Sequence, residues 1–276
     1  MSLSSIFVCG GDERSVFAAE YFRQKAYDVK VFGHGDDSIC PDDVRMADAV
    51  FLGLPAEKNG YINMPLSQHK LSLDNLLENC REGTLVCGGR FSDENYKTAL
   101  KYNVKLLDYS ADEIFQRENA LYTAEGVLSK IIDNTTRSAM HIRILVIGYG
   151  RIGRAITELT CSKIWSVSVW ARKEEVRAEC DVKGIKTISS LKNLSDFDVI
   201  VNTVPCNLLT REYLAGAKKG VLVVDVSESP GYVDKSICRD MDIELMYLPG
   251  IPRLSAPESA GISAAGVVER FTEGIE

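Results

Sequence analysis

The hexapeptide Gly148-Tyr149-Gly150-Arg151-Ile152-Gly153 follows the apolar run Ile142 to Ile147 directly and opens a helical segment from Arg154 to Cys161. Strand, glycine turn and helix in that order are the context in which G-x-G-x-x-G binds a dinucleotide, and few folds accommodate the succession. Each glycine has a separate physical reason. Gly148 permits the tight turn, Gly150 lets the backbone approach a pyrophosphate, and Gly153 lets the helix lie close to the strand. The free N–H groups at the helix start then receive the diphosphate, so Gly148, Tyr149, Gly150, Arg151, Ile152 and Gly153 are all expected to line the cofactor. The alternative is a glycine turn that only packs.

The choice between the two nicotinamide cofactors is read about 20 residues further on, where an acidic side chain would accept the ribose hydroxyls of NAD. That place holds Trp170-Ala171-Arg172-Lys173, without a carboxylate. Arg172 can make a bidentate contact to a 2′-phosphate and Lys173 adds a point charge, so Ala171, Arg172 and Lys173 are expected to select NADP. A solvated basic pair at a strand end is the alternative. Asn202-Thr203-Val204-Pro205 and Asp225-Val226-Ser227 each end an apolar run. Thr203, Val204, Pro205, Asp225 and Ser227 are therefore expected beside the nicotinamide ribose, unless they only shape turns.

Short β-branched runs alternate with helix-length segments along the whole chain, which predicts parallel sheets wound with helices. The first set is Ile6–Cys9, Val29–Phe32, Ala49–Leu52, Thr84–Cys87 and Val104–Leu107; the second is Ile142–Ile147, Val167–Val169, Val199–Thr203, Val221–Asp225 and Ile243–Tyr247. At roughly 150 residues per domain a 276-residue chain has room for two. The expected class is α/β with two doubly wound domains, the second a Rossmann dinucleotide-binding domain, joined by a connecting helix. Residues 1–118 would form the substrate-side domain, 119–136 the connecting helix and 137–258 the NADP-binding domain, with a last helix over 259–276 packing on the first. Within Gln116–Thr136, the residues Ala120, Val127, Leu128, Ile131 and Ile132 suit one helix face. Tyr21, Phe22, Trp165 and Phe271 are expected in the core.

Net charge is −7, with 15 basic and 21 acidic side chains in residues 1–140 and 17 and 18 in residues 141–276. That balance argues against nucleic acid. No apolar run suits a membrane span, and the start of the chain lacks the pattern of a secretory signal. The eight cysteines form no C-x-x-C pair and only His34, His69 and His141 are available, so buried free thiols in the cytoplasm are expected and a metal site is not.

A second glycine turn, Gly10-Gly11-Asp12-Glu13-Arg14, follows the first strand without the dinucleotide spacing. Its N–H groups and Arg14 could hold a small carboxylate, with Gly11, Asp12, Arg14 and, near the connecting helix, Thr123 as substrate residues. Alternatively Asp12 and Glu13 only cap the helix and neutralise Arg14.

With these motifs in hand, the chain resembles the A subunits of bacterial dipicolinate synthase over nearly its whole length. The matching stretches are Gly10-Gly11-Asp12-Glu13-Arg14, Thr123-Ala124-Glu125-Gly126, Ile144 to Gly153, Asn202-Thr203-Val204-Pro205, and Pro249-Gly250-Ile251-Pro252 followed by Ala256-Pro257. The resemblance implies a two-domain, cytoplasmic, nicotinamide-linked dehydrogenase that forms dipicolinate from a lysine-pathway intermediate with a flavoprotein B subunit during sporulation. Three positions depart from the family pattern: Glu228 stands for a serine, Arg253 for a glycine and Glu258 for a lysine. The leading function is thus an NADP-dependent oxidoreductase of a small cyclic carboxylate, with no general acid or base identified and homo-oligomerisation left open. The alternatives are a dehydrogenase of amino or 2-hydroxy acids and a non-catalytic NADP-binding partner subunit.

Overall fold

The computed structural model describes residues 3–35, 40–160, 164–227 and 231–274; Cys161 and Glu228, named above, lie outside them. The chain divides into two units, Met1–Asn119 with Ala256–Glu276, and Ala120–Ser255. Both are α/β with a parallel sheet.

The first unit contains β1 (Ser5–Cys9), α1 (Glu13–Gln24), β2 (Asp28–Phe32), β3 (Ala49–Leu52), a small hairpin of β4 (Glu57–Lys58) and β5 (Tyr61–Ile62), α2 (Leu73–Asn79), β6 (Leu85–Gly88), α3 (Asp93–Lys101) and β7 (Lys105–Asp108). Its sheet runs β2-β1-β3-β6-β7. Alternate residues feed alternate faces, as the pleat requires. Phe7, Cys9, Val50, Leu52 and Val86 enter one core cluster, whereas Ile6, Val8, Ala49, Phe51, Leu85 and Cys87 enter the other. Both faces are covered, which is why the strands read as unbroken apolar runs. The hairpin is absent from the sequence expectations, because two-residue strands carry too little pattern to be read.

Helix α4 (Glu113–Asp133) spans the division at Asn119. Ala120, Val127, Leu128 and Ile131 are buried as the spacing predicts, but Ile132 is 54% exposed because it falls one residue round from that face. The second unit continues with β8 (Arg143–Ile147), α5 (Arg151–Leu159), β9 (Ser166–Trp170), α6 (Glu174–Val182), β10 (Lys186–Ile188), β11 (Val199–Asn202), α7 (Arg211–Leu214), β12 (Leu222–Asp225), α8 (Lys235–Asp240), β13 (Glu244–Tyr247) and α9 (Pro252–Ser255). Its strands lie β10-β9-β8-β11-β12-β13, the order of dinucleotide-binding sheets. Six strands form, one more than the apolar runs predict. The addition is the edge strand β10, whose three residues pair only with β9.

The final helix α10 (Pro257–Glu273) belongs to the first unit and packs along α1. Ala260, Gly261, Ser263, Ala264 and Ala265 are buried, and a Cβ at Gly261 would collide with the Arg14 carbonyl. Small side chains let the two helices approach. Tyr21 adds a hydrogen bond to Glu269 at 2.5 Å. Phe22 is fully buried, worth about 2–3 kcal/mol, while Phe271, expected inside, is 53% exposed. Of the described cysteines, Cys9, Cys87, Cys180 and Cys238 are buried, but Cys40 and Cys206 are exposed, contrary to the expectation of buried thiols. Cys40 is the N-cap of the 3-10 turn Pro41–Met46, and Cys206 stands in the loop between β11 and α7.

Candidate functional site

Trp170, Ile147, Asn202, Asp225 and Tyr247 stand in register across the carboxyl edge of the second sheet. The glycine turn lies on this edge, between β8 and α5. Gly148 adopts φ +102°, where a side chain is strained, and a Cβ there would press on Thr203 Oγ1 and Val204. A Cβ at Gly153 would overlap the Gly148 carbonyl, so only glycine lets α5 start this close to its strand. At Gly150 the added atom meets nothing within 4 Å among the described residues. Gly150 is also the N-cap of α5 and supplies no side-chain cap. The helix start therefore presents N–H groups to open space, the arrangement that accepts a phosphate.

The remaining residues of the turn divide between cofactor edge and core. Tyr149 is 7% exposed, with the Arg154 guanidinium 4.5 Å from its ring centroid. Arg154 forms a two-point ion pair with Glu179 on α6, with one contact at 2.7 Å. Hydrogen bonds from Arg154 and Lys183 hold the Glu179 carboxyl down to about 2. Only the backbone of Tyr149 thus belongs to the turn's open side. Ile152 packs on the core beneath, and Arg151 is exposed.

At the end of β9, Ala171 is buried while Arg172 and Lys173 are exposed. Arg177, one turn into α6, donates to the carbonyls of Ala171 and Arg172 at 2.7 and 3.0 Å. This clamp is missing from the sequence reading; its only trace there is another basic residue five positions after Arg172. Thr203 Oγ1 donates to the Ile147 carbonyl at 2.9 Å, Val204 is half-buried and Pro205 is exposed.

Asp225 is 1% exposed, and its carboxylate accepts five hydrogen bonds: from Asn202 Nδ2 at 3.0 Å, Ser227 N at 3.1 Å, Ser227 Oγ at 2.5 Å, Tyr232 N at 2.8 Å and Val233 N at 3.2 Å. A carboxylate so fully engaged orders the loop after β12. Asn202 completes that network through bonds with Val204, so it ties two edge loops together.

The turn of the first unit is built differently. Gly10 and Gly11 have φ of +63° and +88°, and their N–H groups bond to the carbonyls of Phe32 at 2.9 Å and Asn63 at 2.7 Å. Asp12 caps α1 with its own side chain, 3.2 Å from Arg14 N. Arg14 donates from Nε and Nη2 to the two Asp12 oxygens at 2.8 Å each, and from Nη2 to the Leu54 carbonyl at 2.7 Å. Burial opposes the charge on Arg14, but Asp12 outweighs it and raises the guanidinium above its ordinary value. The N–H groups and three guanidinium contacts expected to hold a carboxylate are thus engaged inside the unit. The Arg14 side chain is 12% exposed. Thr123 belongs to the second unit and is 5% exposed, on the buried side of α4. Arg253 and Glu258, two departures from the family pattern, are both exposed.

Residues 5–110 match the family model of the N-terminal domain of the dipicolinate synthase A subunit, and residues 110–242 that of the D-isomer specific 2-hydroxyacid dehydrogenase NAD binding domain. The dipicolinate synthase A subunit of Bacillus subtilis (strain 168) is 26% identical over 172 residues. In sequence the chain is thus similar to the dipicolinate synthase A subunits. The aligned stretch is 59% of this chain and 58% of that relative, less than two thirds of its length. Crystal structures of dipicolinate synthase A subunits share the fold: that from Bacillus halodurans at TM-score 0.85, 22% identity and 97% coverage of both chains, and that from Bacillus subtilis at 0.84, 22%, and 100% and 97%. Residues 110–242 are thus a dehydrogenase-family domain of the kind that binds a nicotinamide dinucleotide. Among the described residues no helix is long and apolar enough to cross a membrane, and no group of His, Cys, Asp or Glu is placed to hold a metal.

Proposed function

We propose that this chain is an NADP-dependent oxidoreductase of a small cyclic carboxylate, forming dipicolinate from a lysine-pathway intermediate with a flavoprotein B subunit in the cytoplasm. The observation that carries the reading is the uncapped start of α5, with open space at Gly150, on the same sheet edge as the exposed Arg172 and Lys173. When bound, a nicotinamide dinucleotide supplies the hydride chemistry, and the protein supplies binding and orientation. The N–H groups of Arg151, Ile152 and Gly153 hold the diphosphate. Arg172 pairs with the 2′-phosphate and Lys173 adds charge, on a loop fixed by Arg177. Thr203, Val204, Pro205 and Ser227 frame the nicotinamide ribose, with Asp225 and Asn202 as the network that keeps those loops in place.

Fluorescence titration with NADPH and NADH tests the cofactor choice. NADPH should bind more tightly, and Arg172→Ala should weaken it about tenfold, or 1.4 kcal/mol, while leaving NADH nearly unchanged. Equal affinities in the unmutated protein would remove the NADP assignment. Mixing the chain and the flavoprotein partner with the lysine-pathway intermediate and NADP as the two-electron acceptor should yield pyridine-2,6-dicarboxylate, detected by its ultraviolet absorbance. A second reading, a 2-hydroxy-acid dehydrogenase, is favoured by the family description of residues 110–242. Turnover of a 2-hydroxy acid without any flavoprotein would establish it instead.

A further inference from the structure

Arg177 on α6 differs from the other hydrogen-bonded arginines described above in what holds it. Its Nη1 donates to the carbonyls of Ala171 and Arg172 at 2.7 and 3.0 Å, and no carboxylate pairs with it among the described residues. Arg14 and Arg81 also donate to backbone carbonyls, but each holds a carboxylate besides, Asp12 and Asp48. A guanidinium has five N–H donors, and Nη1 uses its two on the carbonyls. Those on Nε and Nη2 have no acceptor among the described residues. A half-buried cation is thus fixed in place with most of its donors unused.

The place it occupies is the strand end where such sheets receive the adenosine ribose. Strand β9 ends at Trp170, whose carbonyl accepts from Gly148 N at 2.9 Å, so the Ala171–Arg172 segment that Arg177 holds adjoins the dinucleotide turn. Arg172 and Lys173 are exposed there, and each must give up side-chain freedom to hold a ligand. Arg177 has already given up much of that freedom through two bonds made within the folded chain. The start of α6 is no substitute for a side-chain cation. Glu174 and Glu175 stand in its first turn, where they answer the helix dipole and disfavour an outside anion.

We infer that Arg177 is the anchored cation that takes the 2′-phosphate of NADP, donating from Nε and Nη2 while Nη1 stays on the carbonyls. This rests on the proposed choice of NADP, and it adds to Arg172 and Lys173 a specificity residue whose position is set before the cofactor arrives. Nε and Nη2 form a side-on pair of parallel donors, which two oxygens of one phosphate accept together. A lysine ammonium is a point charge and cannot serve carbonyls and phosphate in that geometry.

Arg177→Gln removes the charge but keeps an amide that can donate to one carbonyl. Fluorescence titration of the full chain with NADPH and NADH reads the effect as a ratio, since the two cofactors differ only in the 2′-phosphate. Wild type should prefer NADPH, and Arg177→Gln should lower the NADPH-to-NADH affinity ratio about tenfold or more, with NADH affinity nearly unchanged. Arg177→Lys, charged but without the parallel pair, should keep only part of the ratio. If NADPH and NADH weaken equally in Arg177→Gln, the residue only holds the loop and the inference is overturned. A ratio as high in Arg177→Gln as in wild type overturns it too, while the choice of NADP stands. Equal affinities in wild type remove the NADP reading itself, and the inference with it. Arg177→Ala, judged by the same ratio, decides the matter where Arg177→Gln does not fold.

Discussion

The two units each place a glycine turn after their first strand and open their first helix with it, yet the two helix starts are opposites. In the first, Asp12 caps α1 and pairs with Arg14, and the glycine N–H groups bond to Phe32 and Asn63. In the second, Gly150 caps α5 with no side chain and open space beside it. The same electrostatics acts at both: the positive end of a helix attracts an anion. One turn carries its anion in its own sequence and is complete. The other leaves the place open, and only an open helix start can receive a phosphate from outside.

Breaking the closed turn should have the largest effect. Asp12→Ala removes a cap and leaves a buried guanidinium without its carboxylate, so urea unfolding of the first unit should show a loss of about 3–5 kcal/mol. Adding Arg14→Met should return most of it. A loss under about 1 kcal/mol would mean that water reaches the pair.

Closing the open turn comes next. Gly150→Asp copies the Asp12 cap at a residue whose φ of −77° and ψ of −163° suit aspartate. Nicotinamide dinucleotide affinity should fall at least a hundredfold, about 2.7 kcal/mol, with the melting temperature unchanged or slightly raised. Retained binding in this variant would show that the diphosphate does not use the α5 start.

The smallest effect concerns the ion pairs that flank the turns. Arg154 and Glu179 beside Tyr149 are over a third exposed, whereas Arg14 and Asp12 are almost covered. The Glu179 carboxyl titrates at about 2 in the folded chain against an ordinary value of 4.5. Its folded value is the lower one, so the pair stabilises the fold above about pH 4.5 and that contribution disappears as pH falls toward 2. Glu179→Gln should lower the melting temperature of the second unit slightly at neutral pH and remove the part of its fall between about pH 4.5 and 2 that wild type owes to the pair. A profile identical to wild type would show that solvent screens the pair completely.

Much of the second unit was legible because its signals are local. The turn glycines and the apolar run before them lie within a few residues of the structure they specify. The parallel strands were legible too, since burial on both faces leaves continuous β-branched runs. Strand β10 and the β4–β5 hairpin escaped because two or three residues carry no periodicity. Arg177 escaped because its bonds to the Ala171 and Arg172 carbonyls depend on where α6 points.

The sequence by itself determined the alternation of strand and helix, the place of the dinucleotide turn and the balance of charge around it. Those follow from chain stiffness, side-chain size and periodicity, which act over a few residues. Tertiary structure alone decided which polar groups remained available. Asp225 and Arg14 read as site residues, and both are engaged by partners brought from other parts of the chain: Asn202 and Val233 for one, Leu54 for the other. A buried charge must find hydrogen bonds wherever the fold supplies them, and those partners are set by packing rather than by neighbours in sequence.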